Sequence, residues 1–235
     1  MTWNLQGSSA GFKWRMVEQA FTRAKIDVAL LQEVGVPPGA LEKVSAERWM
    51  GSYGKRRCST GKWRLGSAGR PGVPGRGLDT YFAFYNWDAL GARRNNLAVV
   101  SRTEFTKVFT RRNPVSPRGR PMLGVEVNGA LLATIHAMAS SRRGGSKGND
   151  GPGYLRTIAG MGFSRWCCAG DWNRIPTKLE EDLPENTFLL DPDQPTYRST
   201  HQVIDYAVST ERGSARVPQG AASDHQPVYL TIPTL

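Results

Sequence analysis

The sequence predicts a single α/β domain over residues 1–235, in which helices cover a strand-rich core of two packed, mixed sheets. At the amino end, a short strand, a helical pattern and an apolar run follow one another, which indicates a parallel strand pair joined by a helix. Further along, Asn128-Gly129 separates two apolar segments and predicts a hairpin of antiparallel strands. A chain of 235 residues with 39% hydrophobic residues is long enough to bury such a core.

The individual elements follow from the same patterns of apolar spacing. Strands are predicted at 1–5, 26–34, 80–86, 96–101, 121–127, 131–136, 165–173, 203–209 and 227–232. Helices are predicted at 11–25, 40–50, 154–163 and 176–183. Two segments rich in Gly and basic residues, 51–79 and 140–153, predict long surface loops, the first with Trp63 as an anchor.

Composition narrows the range of partners. The net charge of +11 and the pI near 10.0 favour a polyanionic partner such as nucleic acid or anionic lipid, although a basic protein without a charged partner has the same composition. No apolar stretch reaches the roughly 20 residues that cross a bilayer, so no integral membrane segment is predicted. The chain opens directly on a strand, which suggests that upstream residues, such as a secretion signal, precede it.

Three cysteines are present, and their spacing argues against a structural zinc site because no CxxC pair occurs. Cys167 and Cys168 are adjacent within a predicted strand, so their side chains should point to opposite faces of the sheet. A disulfide from Cys58 to one of this pair is neither required nor excluded by the sequence.

Polar residues recur at the ends of the predicted strands. The positions are, in chain order, Asn4, Glu33, His136, Asp171, Asp205 and the pair Asp224-His225. A last strand that enters the sheet antiparallel brings its beginning to the edge where other strands end. We therefore expect these side chains to converge on one rim, where open α/β architectures bind ligands.

Such a group of side chains has the composition of a metal-assisted phosphoester hydrolase. Carboxylates and an Asn carbonyl are hard ligands that suit Mg²⁺ or Ca²⁺ better than Zn²⁺. A His paired with a carboxylate can take a proton from water near neutral pH. Each residue alone also has a structural explanation, such as a turn for Asn4 or a solvated strand end for Glu33. Asp205 is the exception, because a carboxylate within an apolar strand needs a partner.

Six segments together resemble the motif series of the endonuclease/exonuclease/phosphatase superfamily, in order and in strand context. They are TWNLQ, LLQEV, IHA, GDWNRIP, VIDYAV and SDHQPV. The resemblance implies a deoxyribonuclease I-like fold, a four-layered α/β sandwich. Further segments, including RNNLAVVS, GRPMLGVEV and IHAMAS, are similar to the cytolethal distending toxin B subunit. In that family the resemblance implies a secreted, Mg²⁺-dependent nuclease that nicks DNA in the host nucleus and travels with delivery subunits.

The resemblance also implies roles for the residues at the rim. Asn4, Glu33 and Asp224 would hold or position the metal, which would be Mg²⁺, with Ca²⁺ or Mn²⁺ as alternatives. His225 would be the general base that activates water, and Asp205 would orient it.

The remaining residues would act on the phosphate and on the leaving oxygen. Asp171 and Asn173 would hold the attacking or leaving oxygen, and His136 would donate to the phosphate or leaving group. Arg94 and Arg120 match arginines that contact phosphate in the family, and surface ion pairs are the other explanation for both.

Three functional hypotheses follow. The first is a Mg²⁺-dependent deoxyribonuclease, which the basic charge favours because phosphate contacts dominate DNA affinity. The second keeps the same site but hydrolyses a phosphatidylinositol trisphosphate, since basic loops also suit anionic lipid. The third is a catalytically dead module that binds nucleic acid, and the presence of every metal and base residue argues against it.

Overall fold

The computed structural model describes residues 1–7, 11–35, 37, 41–42, 58–65, 78–86, 95–116, 119–139, 150–218 and 224–233. Its strands are β1 Thr2–Asn4, β2 Val28–Gln32, β3 Leu41–Glu42, β4 Cys58–Leu65, β5 Leu78–Tyr85, β6 Leu97–Ser101, β7 Lys107–Arg111, β8 Met122–Val127, β9 Ala130–His136, β10 Trp166–Asp171, β11 Phe188–Leu190, β12 Asp205–Ser209, β13 Ser214–Arg216 and β14 Tyr229–Thr231. The helices are α1 Gly11–Thr22 and α2 Gly151–Ala159.

Two six-stranded mixed sheets form the centre of the fold. Sheet one has the order β1-β2-β6-β5-β4-β3, and sheet two has the order β11-β12-β10-β9-β8-β7. In sheet one, β1 and β2 are parallel and α1 connects them, as predicted. In sheet two, β9 and β10 are parallel and α2 lies between them in the chain. The remaining pairs in both sheets are antiparallel, and β13 pairs with β14 in a separate two-stranded sheet.

Side-chain alternation along the strands sorts the core into three apolar layers. On β2, Ala29 and Leu31 face the layer shared with α1, whereas Leu30 faces the layer between the two sheets. On β10, Cys167 faces the layer between the sheets and Cys168 faces the layer shared with α2. The order is therefore helix, sheet, sheet, helix, and the predicted four-layered sandwich is confirmed.

Each helix buries one apolar side against its sheet. From α1, Val17 and Phe21 are fully buried against sheet one, and from α2, Leu155 and Ile158 are fully buried against sheet two. Burial of a side chain of this size contributes about 1.5–3 kcal/mol relative to exposure. The helices thus cover the outer faces of the two sheets.

The predicted loop at 51–79 is wrong over residues 58–65, which form β4 and pair with β5 along its whole length, and over residues 78–79, which begin β5. Gly61, Trp63 and Leu65 are buried while Lys62 and Arg64 are exposed, so this stretch has the period-two alternation of a strand. The high Gly and basic content concealed that alternation. Residues 51–57 and 66–77 lie outside the described part of the chain.

Other predicted boundaries also need correction. In the predicted helix 40–50, Leu41–Glu42 is a strand that pairs with β4, and the rest lies outside the described residues. Helix α2 begins at Gly151, within the predicted loop 140–153. Pro152 is compatible with this start, since the first helical turn tolerates proline. The predicted helix 176–183 consists of two short 3₁₀ turns. Strands β7, β11 and β13 were not predicted.

The predicted hairpin is confirmed between β8 and β9, which pair antiparallel across Asn128-Gly129. Both turn residues have positive φ, 50° for Asn128 and 75° for Gly129, as a type I′ turn requires. Within the described ranges, no helix has the length and apolar character needed to cross a membrane. All three cysteines are free thiols, so Cys58 is not paired with Cys167 or Cys168.

Candidate active site

The predicted polar residues meet at one edge of the sandwich because the strand registers align them. In sheet two, Asp171 at the end of β10 pairs with His136 at the end of β9 and with Asp205 at the start of β12. These three residues therefore form a row across neighbouring strands. In sheet one, Asn4 ends β1 and is paired with Gln32 at the end of β2.

This row is a polar continuation of the layer between the two sheets. Ala169 and Ala207 lie in that apolar layer, and each is two residues from Asp171 or Asp205 on the same strand. Residues two apart on a strand share a face, so both carboxylates point into the space between the sheets. The site is thus the end of the interface between the sheets, where apolar side chains give way to polar ones.

Asp171 is the centre of the hydrogen-bond network. Its Oδ2 accepts a hydrogen bond from Asn4 Nδ2 at 3.0 Å and lies 3.3 Å from His136 Nε2. Its Oδ1 accepts from the backbone N–H of Asn173 at 2.9 Å. Burial alone would raise the pKa of Asp171, but the hydrogen bond and charge of His136, together with the charge of His225, lower it below its ordinary value. Asp171 is therefore a buried carboxylate held in its charged form.

Asp205 and His225 form a buried pair. His225 Nδ1 lies 2.9 Å and 3.1 Å from the two carboxylate oxygens of Asp205. The opposite ring nitrogen, Nε2, lies 3.9 Å from Asp171 Oδ2. The carboxylate therefore fixes the ring and leaves Nε2 directed at the space beside Asp171.

Burial and the short contact shift both pKa values. Burial raises the pKa of Asp205 to about 7, against the opposing hydrogen bond of His225. Burial alone would lower the pKa of His225, but the hydrogen bond and charge of Asp205, with the charges of Asp171 and Asp224, raise it to about 9. The paired carboxylate thus favours the protonated ring in the metal-free protein, and the ring becomes able to accept a proton as the pH approaches its pKa of about 9.

The segment that precedes β12 holds the Asp205–His225 pair in position. The Thr196 hydroxyl oxygen accepts from the backbone N–H groups of Ile204 and Asp205, both at 2.9 Å. The Tyr197 ring lies 4.8 Å from the His225 ring, tilted by 42°. On the other side, Trp3 Nε1 donates to the carbonyl oxygen of His225 at 3.0 Å. The position of the ring is therefore set by both sheets.

Glu33 and Asp224 complete the rim. Glu33 Oε1 lies 3.6 Å from His136 Nε2, and the Glu33 backbone is left-handed with φ of 46°. Gln6 and Asn173 are also left-handed, with φ of 53° and 47°. Left-handed backbone in non-glycine residues costs about 1–3 kcal/mol each and is concentrated at functional sites. Three such residues around one rim indicate that the fold holds these side chains against local strain.

The donor set fits a hard divalent cation. Asp224 Oδ1 is buried and has no hydrogen-bond partner within the described residues. A buried carboxylate oxygen of this kind is costly unless a cation completes its surroundings. Ligating atoms of Asp171, Asp205 and His225 also lie within 4.8 Å of one another. In this second group, however, Asp205 already contacts His225 and Asp171 already accepts from Asn4, so we favour Glu33 and Asp224 as ligands.

The remaining predicted residues lie beside this rim or outside the described chain. Asn173 Nδ2 and Arg120 Nη1 both donate to the carbonyl oxygen of Ala137, each at 2.9 Å. Ala137 follows His136, so both side chains hold the backbone next to that histidine. The Asn4 oxygen accepts from the backbone N–H of Gln6 at 2.9 Å while its amide holds Asp171. Arg94 lies outside the described residues.

Comparison with known proteins identifies the family. A model described as the Endonuclease/Exonuclease/phosphatase family matches residues 1–225. The chain belongs to the endonuclease/exonuclease/phosphatase family. A relative from Salmonella typhi, described as a homolog of the cytolethal distending toxin B subunit, is 32% identical over 251 residues, which cover 97% of this chain and 87% of that protein.

Solved structures agree with this assignment. The crystal structure of cytolethal distending toxin from Actinobacillus actinomycetemcomitans is similar with a TM-score of 0.83 at 28% identity, covering 98% of this chain and 96% of that chain. The toxin structure from Haemophilus ducreyi gives a TM-score of 0.83 at 29% identity with the same coverage. The resemblance predicted from the sequence motifs is therefore confirmed. As a member of this family, the chain is a hydrolase that acts on phosphodiester bonds.

Several residues that shape the site were not predicted from the sequence. Gln6, Thr196 and Tyr197 contact the predicted residues, but none belongs to a strand-end pattern. Gln32 stands out in the sequence only as the end of an apolar run. Its side chain is fully buried between the sheets. In the sequence, the signal that could have found it is a glutamine that continues an apolar run and directly precedes a predicted site residue.

Proposed function

We propose that this chain is a Mg²⁺-dependent endodeoxyribonuclease that nicks DNA, acting as a genotoxin similar to the cytolethal distending toxin B subunit. The observation that carries the proposal is the buried Asp205–His225 pair, whose second ring nitrogen, Nε2, lies 3.9 Å from Asp171. Beside it, Asp224 has a buried carboxylate oxygen with no hydrogen-bond partner among the described residues. We also propose that residues 1–235 form a single endonuclease/exonuclease/phosphatase domain.

In this mechanism His225 is the general base. In the neutral ring, Nε2 takes a proton from a water molecule, while Nδ1–H stays hydrogen-bonded to Asp205 at 2.9 Å. The imidazolium that results is stabilised by the Asp205 carboxylate and by Asp171, whose Oδ2 lies 3.9 Å away. General-base catalysis of this kind contributes about 10²–10⁴ in rate.

Asp171, Asn173 and His136 act on the phosphate side of the reaction. Asn4 and the Asn173 backbone N–H hold the two oxygens of Asp171 in place. His136 Nε2 lies 3.3 Å from Asp171 Oδ2. This contact orients the His136 ring, and the ring donates to the phosphate or to the leaving oxygen. Arg120, and Arg94 as the second candidate, would contact phosphate oxygens.

Glu33 and Asp224, with Asn4 beside them, would hold the Mg²⁺ ion. The ion, when bound, supplies positive charge that stabilises the phosphodiester as its charge develops. Their oxygen atoms suit Mg²⁺, which prefers few protein carboxylates and leaves positions for water and substrate phosphate. Ca²⁺ and Mn²⁺ are the alternative ions to test.

DNA is proposed as the substrate for two reasons. The net charge of +11 favours a phosphate backbone, and the relatives named above are toxin B subunits or toxins. On this basis we propose delivery by partner subunits, secretion, and action in the host nucleus. Hydrolysis of a phosphatidylinositol trisphosphate at the same site is the alternative that the experiment separates.

The test is nicking of supercoiled plasmid with Mg²⁺, with and without chelator. His136→Ala and His225→Ala should each reduce conversion to open circles by about 10²–10⁴. His201→Ala is the matched control, because His201 is exposed and lies outside the site. We expect that control to keep wild-type activity.

Two outcomes would contradict the proposal. Well-folded wild-type protein that leaves plasmid intact would refute the nuclease, and phosphate release from a soluble trisphosphorylated inositol lipid would then support the alternative. Nicking that continues in His225→Ala would refute the assignment of the base.

A further inference from the structure

A buried hydrogen bond joins the two sheets directly beneath the candidate site. Gln32, the last residue of β2 in sheet one, places its side-chain nitrogen 2.7 Å from the hydroxyl oxygen of Thr134 on β9 in sheet two. The same nitrogen lies 2.9 Å from the Thr2 hydroxyl oxygen and 3.0 Å from the Leu30 carbonyl. All three polar side chains are fully buried. We call the Gln32–Thr134 contact the sheet bridge.

The surroundings of the sheet bridge are apolar. Leu30, Leu132, Ala169 and other members of the layer between the sheets are packed next to these strands. Burying polar groups there adds little net stability, because the desolvation that they suffer offsets most of the hydrogen-bond energy. A buried polar contact of this kind instead specifies one geometry among several similar ones.

The position of the sheet bridge connects it to the site. Gln32 is adjacent to Glu33, the proposed metal ligand of sheet one. Thr134 lies two residues before His136 on the same face of β9. Across the gap, Glu33 Oε1 and His136 Nε2 are 3.6 Å apart. The sheet bridge is therefore a polar cross-link between the sheets that lies one residue from Glu33 and two residues from His136, the residues that meet at the rim.

We propose that Gln32 and Thr134 are positioning residues that set the separation of Glu33 from His136 and so tune the affinity of the site for its divalent cation. Apolar packing between sheets is not directional, whereas a hydrogen bond fixes both distance and angle. The metal-related part rests on the proposed function, while the geometric part does not.

The test uses Thr134→Val, which replaces the hydroxyl by a methyl group, and Gln32→Met, which keeps the length of the side chain. Loss of a partner that orients a metal ligand typically weakens metal affinity about 10–100-fold. We expect both variants to raise, by about ten-fold or more, the Mg²⁺ concentration for half-maximal nicking. The Mg²⁺ dissociation constant, measured by calorimetry on metal-free protein without DNA, should rise in parallel.

A double variant and a matched control separate positioning from stability. Gln32→Met with Thr134→Val should be no worse than Gln32→Met alone, because Gln32→Met already removes the contact that Thr134 makes. Thr80→Val is the control, since Thr80 is equally buried on β5 and its hydroxyl donates to the Trp63 carbonyl at 2.7 Å, away from the rim. It should leave the Mg²⁺ requirement unchanged even where it lowers the melting temperature.

A metal-free measurement keeps the geometric claim independent of the proposed function. In NMR spectra of the apoprotein, Gln32→Met should move the ring signals of His136 on the opposite sheet, and Thr80→Val should not. If the wild type neither binds Mg²⁺ nor cleaves DNA, the proposed function fails, and these spectra alone decide the geometry. Unmoved His136 signals in Gln32→Met, or an equal change of Mg²⁺ affinity in Thr80→Val, would overturn the proposal.

Discussion

Replacing Asp205 by Asn tests the central pair of the site most directly. Both carboxylate oxygens of Asp205 contact His225 Nδ1, at 2.9 Å and 3.1 Å. Asn has the same shape but no charge, and its amide can donate to Nδ1. That donation would place the ring proton on Nε2, the nitrogen that has to accept a proton in the mechanism. Asp205→Asn therefore removes the charge and favours the wrong tautomer.

The expected size of the effect of Asp205→Asn follows from the pKa of His225. Asp205 is the largest of the attractive causes that raise this pKa from 6.5 to about 9, a rise that corresponds to about 3 kcal/mol of preference for the protonated ring. In Asp205→Asn the pKa of His225 should fall toward 6.5, because only Asp171 and Asp224 still attract the proton. In the serine-protease triad, the equivalent change from carboxylate to amide reduces turnover about 10⁴-fold, and we expect a loss of about that size.

Two assays check this prediction. NMR titration of metal-free protein should show the His225 ring losing its proton at lower pH in Asp205→Asn than in the wild type. Plasmid nicking at saturating Mg²⁺ should fall by about 10⁴. Asp79→Asn is the control, because Asp79 forms an exposed pair with Arg64 at 3.6 Å. A folded Asp205→Asn protein with the wild-type titration midpoint, or with activity within ten-fold of wild type, would refute the reasoning.

Three other predictions concern the metal, the backbone and the substrate. Glu33→Gln and Asp224→Asn should each weaken Mg²⁺ binding in calorimetry at least ten-fold, and unchanged affinity would contradict their role as ligands. Gly170→Ala should fail to fold or should unfold at a much lower temperature, because its new Cβ would lie 2.1 Å from the Ile135 carbonyl oxygen. Gly151→Ala is the control and should fold, because its new Cβ meets only ordinary contacts at 3.5 Å. DNA affinity should fall steeply as salt rises from 50 to 200 mM, and a flat response would contradict phosphate binding by the basic chain.

The strand-end placement of polar residues was enough to predict most of the site. His136 and Asp171 could be found because each follows a strongly apolar strand, and Asp205 because it interrupts one. Their mutual distances could not be predicted, since those depend on strand registers that pair Asp171 with both His136 and Asp205. Register is set by turns and by packing between distant segments, which a single sequence does not specify.

The missed elements have physical reasons of two kinds. Strand β4 was hidden by its Gly and basic content, although Trp63 packs edge-on against Trp14 at 5.2 Å and is 4% exposed. The left-handed backbone at Glu33 was not predictable, because Glu has no intrinsic preference for that conformation. There the tertiary structure imposes a conformation that local propensity opposes, and this is the usual situation at functional sites.

The dependence of the site on the layer between the sheets leads to a last prediction, made on two adjacent residues of β6. Val99 is fully buried between the two sheets, and Val100 is fully buried in the layer shared with α1. Each Val→Ala change removes the same two methyl groups from a closed core, so both should lower the free energy of unfolding by about 1–3 kcal/mol. Only Val99→Ala loosens the contact between the sheets on which the distance from Glu33 to His136 depends.

We therefore expect Val99→Ala to raise the Mg²⁺ requirement for nicking, and Val100→Ala to leave it at the wild-type value. The Mg²⁺ requirements of the two variants are measured at a temperature where each variant is fully folded, so that lost stability does not appear as lost activity. If the two variants need the same Mg²⁺ concentration, the rim does not depend on the packing between the sheets. The site would then be fixed by its own hydrogen bonds, those that join Asn4, His136 and Asp171 and those that join Asp205 and His225.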